Sequence, residues 1–111
     1  MIKPIPKRML VNSATYEEYV ADAGEGSSYA TAITLDHIKI DEQKQFSYTS
    51  NGKEIVGNAM LFYDLTNSSG LTNSPVNESR ITFNGKTYTV KDTDILRAND
   101  STPHHYEVLL K

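Results

Sequence analysis

The chain has 111 residues, 38% of them hydrophobic and 23% charged, which sets the expectation of one soluble domain with a single core. Eleven Lys and Arg stand against 14 Asp and Glu with no block of like charge, so neither a basic nucleic-acid tail nor an acidic tail is supported. The absence of cysteine excludes disulfides, thiolate metal sites and cysteine nucleophiles. No apolar run approaches the ~20 residues of a membrane helix, and no signal-peptide pattern opens the chain.

In chain order, residues 1–7 carry Pro4 and Pro6 and read as an extended arm outside the core. Residues 8–20 hold Val11, Thr15, Tyr16, Tyr19 and Val20 and read as a strand, although Thr15-Tyr16-Glu17-Glu18 has the form of a helix capping box. Residues 21–28 form a turn around Gly24 and Gly26. Residues 29–42 are the clearest strand. Ile33 and Leu35 alternate with polar neighbours, and so do Ile38 and Ile40, but the phase slips by one at His37-Ile38. A strand that changes phase needs a bulge or a sharp bend.

Residues 43–57 are polar and contain the turn signal Asn51-Gly52. Their apolar anchors are Phe46, Tyr48, Ile55 and Val56. They bridge two core strands as a projecting loop of few buried contacts, or as a long hairpin arm with its tip near residues 50–53. Residues 59–65 (AMLFYDL) read as a short strand buried on both faces. Residues 66–79 are rich in Asn, Ser and Gly and form a surface loop.

Residues 80–92 form a hairpin about Asn84-Gly85, with Ile81, Phe83, Tyr88 and Val90 on one face and Thr82, Thr87, Thr89 and Lys91 on the wet face. Residues 93–103 are a connection. Residues 104–111 close the chain as a strand with Tyr106, Val108 and Leu110 inward. About six short antiparallel strands with long loops and no long amphipathic helix suggest an all-β barrel or sandwich. A small single-domain barrel is the expected fold, because closure removes exposed edges.

Chemistry is sparsely supported. His104 and His105 are strand neighbours expected to diverge, and His37 has no spaced acidic partner, so no metal site is expected. The acid pairs Glu17-Glu18, Asp41-Glu42 and Asp92/Asp94 lie beside turns or on wet faces. No nucleophile elbow, phosphate loop or zinc spacing is present, and neither an enzyme nor a cofactor is expected. Tyr48, Tyr63, Tyr88 and Tyr106 with Lys44, Lys53, Lys86 and Lys91 leave open a barrel that binds single-stranded nucleic acid, though Tyr88 and Tyr106 fall on core faces. Seven tyrosines, and apolar residues on both faces of 59–65, point to oligomerisation, with Met60, Phe62 and Tyr63 as the candidate subunit interface.

Three stretches taken in order resemble the minor capsid proteins of tailed bacteriophages, head–tail connector components of phages and prophages of Gram-positive bacteria. They are IPKRMLVNSATYEEYV with residues 29–35, GKEIVGNAMLFYD at 52–64, and the pair RITFNGKTYTV at 80–90 and HHYEVLLK at 104–111. The resemblance is to the head-completion or stopper class. It implies a small β-barrel subunit that assembles as a homo-oligomeric ring below the portal, prolongs the channel for packaged double-stranded DNA, and docks the tail. The implied partners are a portal or adaptor protein on the head side and a tail-joining protein on the tail side, with no membrane. The implied location is the virion, after synthesis in the bacterial cytoplasm. In such proteins a loop between two barrel strands gates the channel. Carried onto this sequence the gate is residues 43–57, with Gln43, Lys44, Ser50, Asn51, Gly52, Lys53 and Gly57 as its candidate residues and Gly52 and Gly57 suited to a hinge. A connector adaptor without a gate is the alternative.

Overall fold

A computed structural model describes residues 4–22, 26–97 and 102–111. The described residues form ten strands: β1 (Asn12–Glu17), β2 (Tyr19–Asp22), β3 (Gly26–Tyr29), β4 (Ile33–Asp41), β5 (Gln45–Thr49), β6 (Gly52–Gly57), β7 (Ala59–Asp64), β8 (Arg80–Phe83), β9 (Lys86–Arg97) and β10 (Pro103–Leu110). Six of them close a barrel in the order β1-β4-β7-β10-β9-β8, and every pairing is antiparallel. The remaining four make two satellite hairpins, β2–β3 and β5–β6. Among the described residues there is one 3-10 turn, Lys7–Met9, and no α-helix. The fold is all-β, as the alternation of apolar and polar residues predicts.

Alternation fills the barrel. Ala14 and Tyr16 enter from β1, Ala59, Leu61 and Tyr63 from β7, Ile81 and Phe83 from β8, Tyr88 and Val90 from β9, and Tyr106, Val108 and Leu110 from β10. The β4 strand contributes Leu35, then Ile38 and Ile40. Its phase slip is a bulge: Ala14 faces Leu35 and Asn12 faces Ile38, so three steps of β4 oppose two of β1. His37 takes the left-handed backbone there, at φ 56°. The bulge is stitched on both sides. Asn12 Oδ1 accepts the Ile40 N–H at 2.9 Å, and the Ser68 hydroxyl donates to the His37 carbonyl.

Several expected boundaries move. Arg8 and Met9 lie in the 3-10 turn rather than in the first strand, and the expected strand over residues 8–20 splits into β1 and β2. The expected turn at 21–28 narrows, because residues 26–29 pair back on β2; residues 23–25 lie outside the described residues. Tyr29 belongs to β3, so the long central strand begins at Ile33. Residues 93–97 are not a connection. Beyond Val90 a register shift against Leu109 and Leu110 adds one residue to β9, after which Thr93 and Ile95 pair with Val108 and Tyr106. Asp92 and Asp94 resemble loop residues in sequence, but β10 offers a ladder that holds their backbone extended.

The expected loop 66–79 is on the surface yet tied down by buried polar groups. The Tyr63 hydroxyl accepts the Leu71 N–H at 3.0 Å, and the Tyr16 hydroxyl accepts the Val76 N–H at 3.0 Å. The fully buried Ser79 hydroxyl accepts the Tyr19 N–H at 2.8 Å. Asp64, 1% exposed, is the other anchor. Its carboxylate accepts the N–H groups of Ile5, Thr66 and Asn67, and Asn67 Nδ2 donates back to the Ile5 carbonyl. The proline-bearing segment, described from Pro4, is therefore pinned to the barrel end, and Leu10 behind it is buried. Residues 1–3 lie outside the described residues.

Candidate functional site

The segment 43–57 leaves the barrel between β4 and β7 as the β5–β6 hairpin. Its strands pair only with each other, so each keeps one free edge. With this arm the Cα radius of gyration is 14.8 Å, against about 13 Å for a compact chain of this length. Gln43 and Lys44 are exposed at its base, where the Gln45 side chain donates to the Gln43 carbonyl at 2.8 Å. Ser50 and Asn51 make the tip, and Thr49 faces Gly52 across it. Gly52 alone carries the positive φ, 112°. The Thr49 hydroxyl accepts the Asn51 N–H and donates to the Gly52 carbonyl.

The arm has two unlike faces. Phe46 pairs with Ile55 and Tyr48 with Lys53, so these four share one side, while Ser47, Thr49 and Glu54 take the other. Phe46 and Ile55 are each 41% exposed and Tyr48 is 79% exposed. Lys53 Nζ lies 3.9 Å from the Phe46 ring centroid, a cation–π contact.

The root is built differently from the tip. Gly57 is buried, and a side chain there would meet Leu109 Cδ1 at 2.5 Å and the Leu110 carbonyl oxygen at 2.9 Å. It is a close-packing glycine, whereas open space surrounds Gly52. On the other strand Glu42, just past β4, accepts the Tyr88 hydroxyl at 2.5 Å and an ion pair from Lys86 at 3.5 Å. The Tyr88 hydrogen bond, helped by Lys86 and opposed by desolvation, holds the Glu42 carboxyl below its ordinary value. The same hydrogen bond, with burial, pushes the Tyr88 hydroxyl up to about 12. The sequence carries no signal for this latch, because Glu42 and Tyr88 are 46 residues apart.

Of the candidate interface residues, Met60 and Phe62 point out of β7 and are half-buried, while Tyr63 points into the barrel, 3% exposed and stacked on Tyr106 at 5.9 Å. Tyr63 therefore drops out of any outward face, because an inward position on a closed barrel is covered. Burial raises its hydroxyl pKa. A cleft lined by Phe46, Val56, Met60, Leu109, Asp94 and Glu107 separates the arm root from the barrel wall. Farther along the same wall, Ile5, Met9, Lys39, Phe62 and His105 line an almost wholly apolar groove.

The two histidines do not diverge as expected. His104 Nδ1 and His105 Nδ1 are 2.8 Å apart and the rings meet edge to face. The reason is a register shift between Pro103 and His105, which opposes the shorter step from Arg97 to Leu96 and breaks the strand alternation at His104. His105 Nε2 faces Glu107 at 3.1 Å. Among the described residues no group of three or more His, Cys, Asp or Glu is placed to hold a metal. Among the described residues no helix is long and apolar enough to cross a membrane.

The model of a family described as minor capsid protein matches residues 6–110. No curated protein and no solved structure matches the chain. The match spans nearly the whole length, and the chain belongs to the minor capsid protein family, a structural family whose members are parts of the phage particle.

Proposed function

We propose that this minor capsid protein is a head-completion, stopper-like subunit of the head–tail connector. In this reading copies form a ring below the portal, extend and close the channel, and dock the tail. The portal or an adaptor lies on the head side and a tail-joining protein on the tail side, in a phage or prophage of a Gram-positive host. The observation that carries it is the β5–β6 arm: a hairpin anchored at its root by Gly57 and Glu42, exposed at its tip, and contributing nothing to the barrel core. Such an element can reach into a channel while the barrel serves as a rigid frame. Residues 43–57 carry Lys44 and Lys53 against Glu54, a net charge of +1, and this weakly charged arm suits a gate past which DNA slides without sticking.

The test is deletion of residues 49–53 in the phage. The gate reading expects capsids that assemble and accept a tail yet lose DNA beforehand. Full, stable, infectious particles remove the gate and leave the ungated adaptor. The nucleic-acid reading is weakened by the placement of Tyr63, Tyr88 and Tyr106 inside the barrel, where they offer no ring to a base.

A further inference from the structure

The chain contains two Asn-Gly pairs, and both run on into lysine: Asn51-Gly52-Lys53 at the arm tip and Asn84-Gly85-Lys86 between β8 and β9. Asn-Gly is the pair most prone to deamidation, because glycine leaves its backbone nitrogen unshielded and its backbone free to turn. We propose that Asn51 is a site of spontaneous deamidation and that Asn84 is protected from it, the choice being made by how firmly each turn is held. The inference stands apart from the gate reading, since it needs neither a channel nor a ring.

In the reaction the Gly52 backbone nitrogen gives up its proton and bonds to the side-chain carbonyl carbon of Asn51. The bond from that carbon to the side-chain nitrogen breaks, and the nitrogen takes up the proton and leaves as ammonia. Water then opens the five-membered succinimide at one of its two carbonyls, leaving isoaspartate or aspartate at position 51. One water is consumed and one ammonia released, and no oxidant, metal or enzyme is needed. Ring closure requires rotation about the Asn Cα–C bond until the Gly nitrogen lies beside the side-chain carbon, so the turn must first come loose from its hydrogen-bonded frame.

Sequence and access do not separate the two pairs. Both asparagines are exposed, and a side chain built on either glycine meets nothing within 4 Å. The frames differ. Asn84 and Gly85, at φ 51° and 77°, form a two-residue loop closed by the Phe83–Lys86 pair. Phe83 and Tyr88 behind it are 8% and 7% exposed in the barrel core, and Glu42 holds both Lys86 and the Tyr88 hydroxyl. Opening that turn pulls on the closed barrel. Asn51 sits between strands that pair only with each other, and behind it Tyr48 is 79% exposed. Beyond the Thr49–Gly52 pair, the tip is held by the Thr49 hydroxyl, which accepts the Asn51 N–H at 3.2 Å and donates to the Gly52 carbonyl at 3.2 Å. Few buried contacts are lost when it opens. Lys44 and Lys53 against Glu54 give residues 43–57 a charge of +1, and the new carboxylate brings it to zero. Isoaspartate also adds a methylene to the main chain at the tip.

Trypsin separates the two sites, since Asn51 falls in peptide 45–53 and Asn84 in peptide 81–86. The purified folded protein is held in mildly alkaline buffer, sampled over time, and mapped by mass spectrometry against a portion kept unfolded in guanidinium. In the folded protein Asn51 is expected to convert at least ~10-fold faster than Asn84, the ratio given by ~1.4 kcal/mol of difference in opening free energy. In the unfolded chain, where both read Asn-Gly-Lys, the two are expected to convert at similar rates. Both isoaspartate and aspartate are expected at position 51. Equal rates in the folded protein overturn the proposal. So does a folded-state difference that persists unchanged in guanidinium, because it then belongs to the sequence and not to the turns. No conversion of Asn51 over a period in which the unfolded chain reacts at both sites overturns it as well. Aspartate without isoaspartate overturns the ring-closure step.

Discussion

The chain contains two hairpins that carry an Asn-Gly pair. In β8–β9, Asn84 and Gly85 are the two turn residues, both with positive φ, 51° and 77°, as a tight twisted hairpin requires. In β5–β6 the turn residues are Ser50 and Asn51, and Gly52 takes the positive φ alone. The larger difference is in their neighbours. The β8 strand pairs with β1 and the β9 strand with β10, so Ile81, Phe83, Tyr88 and Val90 face a closed interior. The arm has no third strand, and Phe46, Tyr48 and Ile55 remain on the surface. Similar turn chemistry thus builds a wall in one place and an arm in another. What separates them is whether a second strand arrives to bury the apolar side.

The sharpest way to break that comparison is to remove the same ring from each hairpin. Phe83→Ala is expected to destabilise the purified protein by ~3–5 kcal/mol, because Phe83 is 8% exposed among core residues. Tyr106→Ala, which also removes the stack on Tyr63, belongs in the same range. Phe46→Ala, which removes the ring beneath Lys53, is expected to cost ~0.5–1 kcal/mol. Equal shifts in denaturant midpoint for Phe83→Ala and Phe46→Ala would show that the arm is part of the cooperative core.

Next in size is Asp64→Ala, which leaves three backbone N–H groups without their charged acceptor. A hydrogen bond to a charged group contributes ~1.5–3 kcal/mol, so a loss of at least ~2 kcal/mol is expected. Limited proteolysis should cut the segment before Leu10 faster than in the parent. Gly57→Ala is expected to cost ~1–3 kcal/mol by overpacking against Leu109 and Leu110, and hydrogen exchange should rise along β6 while the barrel strands stay protected.

A smaller effect tests the latch between the two hairpins. Glu42 has a lowered folded-state pKa, so it adds stability above its ordinary 4.5, and this is lost as the pH falls through the lowered value. Tyr88 has a raised folded-state pKa, so its share is complete below pH 10 and is lost as the pH rises through about 12. Thermal melts across both windows should show the two limbs, and Tyr88→Phe should flatten both together. Smallest of all, Thr82→Ala on the outer side of β8 is expected to stay within ~0.5 kcal/mol. A melting shift equal to that of Phe83→Ala would mean that the strand faces are reversed.

Much of the barrel was legible because alternation acts within a strand. The inward residues of β8, of the start of β9 and of β10 can be read from period two alone, and so can the bulge at His37, since a phase slip in one strand is a local signal, whereas residues 59–65 read as buried on both faces. The candidate site was less legible. The span 43–57 shows its polarity and its turn, but nothing local distinguishes a close-packed Gly57 from an open Gly52. Tyr63 looked as available as Phe62 until barrel closure gave the two sides of β7 different surroundings. The contact of His104 with His105 follows from a register shift that involves Arg97 and Leu96, a pairing that those two histidines do not encode.

By itself, then, the sequence determined the inward faces of β8, the start of β9 and β10, the phase slip in β4 and the turn between β8 and β9, because side-chain alternation and positive-φ preferences depend only on adjacent residues. Tertiary structure decided the ladder that carries β9 to Arg97, the anchoring of Ile5 by Asp64 and the Glu42–Tyr88 latch. Each of these joins residues far apart in the chain. The gain that fixes each one exists only after the barrel has closed and brought the partners within hydrogen-bonding range.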